Sequence, residues 1–234
     1  MNFLEPVGLY LALYRYVNGP GAFVPFPGTQ KNFIHSNTDS SQSIISKSEI
    51  YLSVVKPAEA NGEAFNTADT ATPSTWSEKW PILAEYYGLK GTGPEIDGWG
   101  DIDKWWNKHQ AEYKKMCAEY GLQQREISES SWVFLKFGFT ALDRNRELSL
   151  DKIRSLGFAE ELPVGQGHYV ALDRMAEAHL LPPKGFPSKE VAPPSRGLLS
   201  IIKRLVKKCL CLAWFSVLCI SLWNKLCASW LQFD

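Results

Sequence analysis

Reductive, hydrolytic or transfer chemistry needs a nucleophile, an acid–base pair, a metal or a held cofactor, and each leaves a residue pattern. Three tyrosines, Tyr10, Tyr14 and Tyr16, lie in a helical stretch with Arg15, but none has a lysine four residues later to tune its phenol. His35 and His168 have no serine, cysteine or carboxylate at a spacing that suggests a triad. His109 falls on the inner face of a helix, where a histidine is usually a satisfied core residue. Glu85 and Asp69 have no identifiable partner carboxylate. Of the five cysteines, Cys117 stands alone in a helical stretch and reads as a buried reduced thiol. Cys209, Cys211, Cys219 and Cys227 match no zinc spacing and have no histidine among them. A phosphate-cradling loop needs glycines between a strand and a helix N-terminus; Gly91-Thr92-Gly93 is followed by Pro94 and Glu95, with no third glycine in register, and reads as a loop.

The elements that would position such residues can be traced along the chain. Leu4, Val7, Leu11 and Tyr14 predict a helix over Phe3 to Val17, stopped by Gly19-Pro20-Gly21. Phe23 to Phe26 and Asn32 to His35 read as short strands, and Thr38 to Ser41 supply cap oxygens for a helix carrying Ile44, Ile45, Ser48, Leu52 and Val55. Glu63 to Asp69 is a strand candidate. Ser74 or Thr75 caps a helix with Trp76, Trp80, Leu83 and Tyr87, which Gly88 closes and whose early turn accommodates Pro81. A glycine-rich loop, Gly91 to Gly100, leads to a helix capped by Asp101, with Ile102, Trp105, Trp106, His109, Tyr113, Met116 and Tyr120 inside. Ser131 to Phe139 is a buried strand or one side of a helix; Ser149 opens a short helix to Leu156, and Tyr169 to Leu180 is a last helix.

The 234 residues suffice for one sizeable domain, and 45% apolar with 21% charged residues is ordinary for a globular chain. Lys plus Arg and Asp plus Glu are equal at 25 each, so no field attracts nucleic acid. Nine Trp, nine Tyr and twelve Phe imply a large aromatic core or an apolar pocket with aromatic walls. With Asn2 and Glu5 after Met1 there is no basic signal region, and a reducing, cytoplasmic compartment is expected.

The chain changes character after Pro182. Residues 183–197 read as a Pro-rich linker and 198–234 as a basic, apolar tail. Its uninterrupted run of apolar residues and Ser, Cys209 to Trp223, is about 15 residues, short of the roughly 20 that span a bilayer. Three readings stand open: a membrane-contacting anchor with Lys203, Arg204, Lys207 and Lys208 on the cytoplasmic side, a segment packed on the domain, or a read-through product outside the ancestral fold.

Ordered blocks carry a resemblance. Asn2-Phe3-Leu4, Phe26-Pro27-Gly28, Gly62-Glu63-Ala64-Phe65-Asn66, Thr75-Trp76 through Trp80-Pro81, Trp132-Val133-Phe134, Leu150 through Phe158, and Asp173-Arg174-Met175 running on to Leu181-Pro182 occur in the order found in PRISE-like (progesterone 5β-reductase/iridoid synthase-like) extended short-chain dehydrogenases/reductases, especially fungal ones. Over residues 1–182 the chain resembles the C-terminal, substrate-binding part of such an enzyme. The resemblance implies an α/β fold, the C-terminal part of a Rossmann-like NAD(P)-binding reductase, mostly helical with a few strands. It implies reduction of C=C bonds in small apolar enones with NADPH. The family's glycine fingerprint and Tyr–Lys pair read as absent from this chain, so no NADPH binding and no turnover are expected of it alone. The same resemblance assigns substrate binding to Asn2, whose amide can donate to a substrate oxygen, and to Phe134, which offers shape and apolar contact or else packs in the core. It leaves Trp132 to the core, the Phe26-Pro27-Gly28 turn to folding and Asn66 to satisfying loop backbone. Apolar faces of residues 1–90 are expected to lie uncovered, favouring self-association. The contrasting expectation is a non-catalytic binding or membrane-associated protein that reuses this half-fold.

Overall fold

The first helix, α1 (Leu4–Asn18), forms where its apolar spacing places it, and Gly19 closes it by donating to the Arg15 carbonyl at 2.8 Å. It is apolar on nearly every side, and every residue from Pro6 to Leu13 is buried. In the computed structural model, which describes residues 3–95, 102–124, 129–142 and 144–187, α1 packs against α7 (Gln110–Tyr120), α8 (Glu129–Thr140) and α10 (Gln166–Glu177). The uncovered apolar side chains of residues 1–90 are therefore found elsewhere, at Phe23, Ile34, Ile50, Val54 and Val55.

Two small sheets stand among the helices. β1 (Phe23–Pro25) runs parallel to β4 (Lys90–Thr92), and β2 (Ser36–Asn37) pairs antiparallel with β3 (Ser74–Thr75). A parallel pair needs a crossover, and the long excursion between β1 and β4 supplies it. The helix before β4, α5 (Trp76–Tyr86), is started by a capping box in which the Thr75 hydroxyl accepts from the Glu78 N–H while a Glu78 carboxylate oxygen accepts from the Thr75 N–H. Its Trp80 indole donates to the Val24 carbonyl at 3.0 Å, tying helix to sheet. A Cβ at Gly91 would lie 2.8 Å from the Pro81 Cα and 2.9 Å from both the Pro81 nitrogen and the Trp80 carbonyl oxygen. Only glycine lets β4 approach the helix backbone this closely. Gly91 and Thr92 thus belong to a strand rather than to the loop expected over Gly91 to Gly100; residues 96–100 lie outside the described chain, as does the expected cap Asp101.

Other expectations are corrected. Asn32 to His35 is not a strand: the Thr29 hydroxyl accepts from the Asn32 N–H at 3.2 Å and starts a helical turn, α2 (Gln30–Ile34). Glu63 to Asp69 does not pair as a strand. Asp69 N–H donates to the Asp39 carbonyl, Leu162 N–H donates to the Asp69 carbonyl, and the Asn66 amide donates to the Ser149 carbonyl, so the segment is held by single long-range bonds instead of a ladder. The helix expected from Ile102 to Tyr120 is two, α6 (Ile102–Lys108) and α7, broken at His109, whose φ of −106° and ψ of 24° leave helical geometry. His109 there lies against Trp105, ring centroids 4.5 Å apart. Ser131 to Phe139 resolves as helix, within α8: Leu135 and Phe139, four residues apart, are buried, and Val133, Phe134 and Phe137 are exposed.

Ser41 caps α3 (Gln42–Ile50), which continues into a wider turn at Tyr51–Val55 and then α4 (Pro57–Ala60). The Ser149 hydroxyl accepts from Asp151 N–H and opens α9 (Asp151–Ser155). One large core joins α1, α5, α7, α8 and α10, and a smaller one gathers Ile44, Ala68, Leu150, Ile153 and Phe158. The packed chain continues past Pro182. Buried Phe186 lies under the Arg15 guanidinium, which donates to the carbonyls of Tyr87 at 2.5 Å and Phe186 at 2.7 Å. Residues 188–234, with most of the expected linker and all of the tail, lie outside the described chain. No helix of the described residues is long and apolar enough to cross a membrane.

Candidate functional site

Phe3, at the start of α1, is the hinge of an aromatic wall. Its ring meets Phe139 edge-on at 5.3 Å, Phe134 edge-on at 6.2 Å and Trp76 at 6.0 Å. Behind it Phe139 also touches Phe26 at 4.9 Å and Trp76 at 5.1 Å, so this inner layer comes from α1, the β1 turn, α5 and α8. Phe134 is the outer member: 42% exposed, against 0% for Phe139 on the same helix. An aromatic ring held on one edge and open on the other is a contact surface more than a core filler. Trp132 is partly buried against Trp106, at 5.2 Å between rings. Asn2 lies outside the described residues.

Phe3 and Leu4 also form one side of a cavity of about 600 Å³. Its lining also holds a polar group, Asp39, Ser41 and Gln42 at the head of α3, Asp69, and His168 and Arg174 of α10, beside the apolar Ala171, Met175 and Leu180. A Cβ at Gly167 would stand 2.5 Å from an Asp69 carboxylate oxygen and 2.6 Å from the Ser41 Cβ, so glycine lets the first turn of α10 close against this polar group. Asp69 accepts from the Ser41 N–H at 2.7 Å. Burial pushes the His168 pKa below its ordinary value, with the Asp39 charge acting in the opposite direction.

Beneath Asp39 lies Lys79, whose side chain is 0% exposed. Its ammonium sits 3.1 Å from an Asp39 carboxylate oxygen, donates to the Asn37 side-chain oxygen, and lies 4.8 Å above the Trp76 ring. Desolvation lowers its pKa, opposed by Asp39. This cluster was not legible in the sequence, where Asp39 was one cap oxygen among several and His168 stood 129 residues away. Tyr86 and Lys90 do have the spacing of a tyrosine with a lysine four residues on. The structure separates that pair: α5 ends at Tyr86, whose hydroxyl donates to Asp173 at 2.7 Å, and Lys90 begins β4 with its ammonium over Phe23.

Gly91, the first glycine of Gly91-Thr92-Gly93, is taken up by contact with α5 and offers no backbone cradle for a pyrophosphate at that point. Among the described residues no group of three or more His, Cys, Asp or Glu could hold a metal ion.

A parallel strand pair crossed by a capped helix, within a mostly helical α/β unit, fits a Rossmann-type domain. The chain belongs to the PRISE-like Rossmann-fold domain family, whose match runs over residues 2–182. It is 50% identical over 182 residues to the short chain dehydrogenase ausT of Aspergillus calidoustus, covering 78% of this chain and 44% of that protein. It is 31% identical over 186 residues to the short chain dehydrogenase sirR of Leptosphaeria maculans, covering 75% of this chain and 46% of that protein. A 3-oxo-Delta(4,5)-steroid 5-beta-reductase of Arabidopsis thaliana is 28% identical over 130 residues, 55% of this chain and 32% of that protein. The chain thus spans less than half the length of these relatives. They are oxidoreductases by name, and Rossmann-fold short-chain dehydrogenases work with a nicotinamide cofactor.

Proposed function

We propose that this chain is the substrate-facing part of an NADPH-dependent reductase of enone C=C bonds, and that it does not turn over alone. The carrying observation is Phe134: a large apolar side chain partly exposed and in edge contact with Phe3, which itself lines a cavity of about 600 Å³. A flat apolar enone can lie on the exposed ring without displacing a packed side chain. The steroid reductase among the relatives supports the substrate class, and the two fungal short-chain dehydrogenases support the redox class. In such a reaction the bound cofactor supplies hydride. This chain's own part is to bind and orient the ring and to exclude water from it.

The test is steady NADPH oxidation at 340 nm by the purified chain with progesterone as the enone, beside progesterone binding measured by quenching of its tryptophans. Binding without turnover, weakened by Phe134→Ala, is expected. Sustained NADPH consumption overturns the proposal of inactivity, and unchanged binding in Phe134→Ala overturns the wall.

A further inference from the structure

The aromatic wall leaves the polar part of the cavity without a role, and its chemistry is selective. His168 lines it and is half-buried. Near neutral pH its imidazole is held in the uncharged form by burial, so it offers one donor and one acceptor. The Ser41 hydroxyl accepts only a long bond, 3.4 Å, from the Ile44 N–H, which leaves its own proton free to donate. Gln42 and Arg174 meet each other at 3.4 Å across the rim.

The charges decide what kind of molecule fits. Asp39 is matched by Lys79, and Asp69 is engaged by the Ser41 N–H, and both residues line the cavity. Arg174 is the cation among the lining residues. With Lys79 counted against Asp39, two carboxylates stand with two cations, so the site has no net charge to draw in an anion or a cation, and an uncharged imidazole adds none. A bare hydrocarbon would in turn leave the imidazole and hydroxyl desolvated without partners, which is unfavourable. A neutral ligand bearing hydroxyl groups satisfies both conditions. The volume, about 600 Å³, is that of a site for a molecule of several fused rings.

We propose that this cavity receives the hydroxylated end of the substrate whose apolar enone body lies on Phe3 and Phe134. The substrate class becomes neutral, polyoxygenated polycyclic enones. This rests on the enone reading above and adds a second subsite to it, with Ser41 and His168 as specificity-determining residues.

The experiment compares progesterone with hydrocortisone, a neutral steroid enone carrying three hydroxyls, on the full chain, with an anionic steroid hemisuccinate as a third probe. Affinities come from tryptophan quenching. Site occupancy comes from the imidazole resonances, with His168 identified by its loss in His168→Gln. Hydrocortisone is expected to bind about tenfold more tightly than progesterone, in the range of one or two neutral hydrogen bonds, and to shift the His168 resonance. In His168→Gln and in Ser41→Ala the ratio of the two affinities is expected to fall towards one. Equal affinities in the unsubstituted chain overturn the proposal, as does a preference for the hemisuccinate, or a hydrocortisone preference that survives both substitutions. The two readings fail separately. Progesterone binding without any hydroxyl preference removes the polar subsite and keeps the wall. Hydrocortisone shifting His168 while neither steroid responds to Phe134→Ala removes the wall and keeps the cavity. Binding of neither steroid removes both.

Discussion

Phe134→Ala and Phe139→Ala remove the same ring from the same helix, and the structure predicts different outcomes. Phe139 is 0% exposed and lies between 4.9 and 6.2 Å from Phe26, Trp76, Phe3 and Trp80. Its removal leaves a closed hole on all sides, which for a buried Phe→Ala change costs about 3–5 kcal/mol. Phe134 is 42% exposed and touches one aromatic ring, Phe3, at 6.2 Å. A little over half of its burial term of about 2 kcal/mol is at stake, plus one edge contact worth about 0.5 kcal/mol, and no sealed cavity forms because water fills the space. The expected cost is about 1.5 kcal/mol. Urea unfolding followed by tryptophan fluorescence reads the difference: with a slope of about 2 kcal/mol/M, the midpoint of Phe139→Ala should fall about 1 M below that of Phe134→Ala at unchanged slope. Steroid binding should show the reverse order at denaturant-free conditions, with Phe134→Ala the more damaging of the two per unit of stability lost. If Phe134→Ala costs as much stability as Phe139→Ala, Phe134 is a core residue and the wall loses its outer face.

Gly91→Ala places a methyl group against the backbone of Pro81 and Trp80, which cannot rotate away, and should cost about 2–3 kcal/mol in the same unfolding assay. Lys79→Met leaves Asp39 and the Asn37 oxygen without their cation; because Asp39 is 27% exposed, the loss should sit near the lower end for a broken buried pair, about 3 kcal/mol, and the further change Asp39→Asn should restore part of it. His168 has a folded pKa below its unfolded value of 6.5, so on acidification the unfolded chain takes up the proton first. Stability should therefore fall as pH drops from 6.5 towards the folded pKa, and His168→Gln should flatten that part of the pH–stability curve, with Asp39, Lys79 and Asp69 the charged groups that face it. Tyr16, whose phenol burial and Glu119 push up to about 12, works the other way: its contribution is complete below pH 10 and lost as pH rises through 12, so Tyr16→Phe should blunt alkaline unfolding.

Several elements were legible because their causes are local. The apolar period of α1, the cap oxygens of Ser41 and Thr75, and the glycine that ends α7 each act within a few residues, and each lies where its pattern places it. The family was legible for a related reason: the ordered blocks from Asn2 to Pro182 are a record of the whole chain and do not depend on any one contact. The strands were less legible. They are two or three residues long, too short to show alternation, and β4 begins at Lys90 inside a stretch that looks like a glycine loop. Glu63 to Asp69 has a strand composition but no neighbouring strand to bond.

By itself, the amino-acid sequence determined the kind of protein: a helix-rich α/β chain of the PRISE-like Rossmann-fold family. Only the tertiary structure decided which aromatics face outward, since Phe134 and Phe139 are chemically the same residue and differ in what packs around them. It alone drew Asp39, Asp69 and His168 around one cavity and set Lys79 beneath Asp39. Periodicity and capping report forces along the chain. A cavity is the space left where distant segments fail to touch, and no local pattern encodes it.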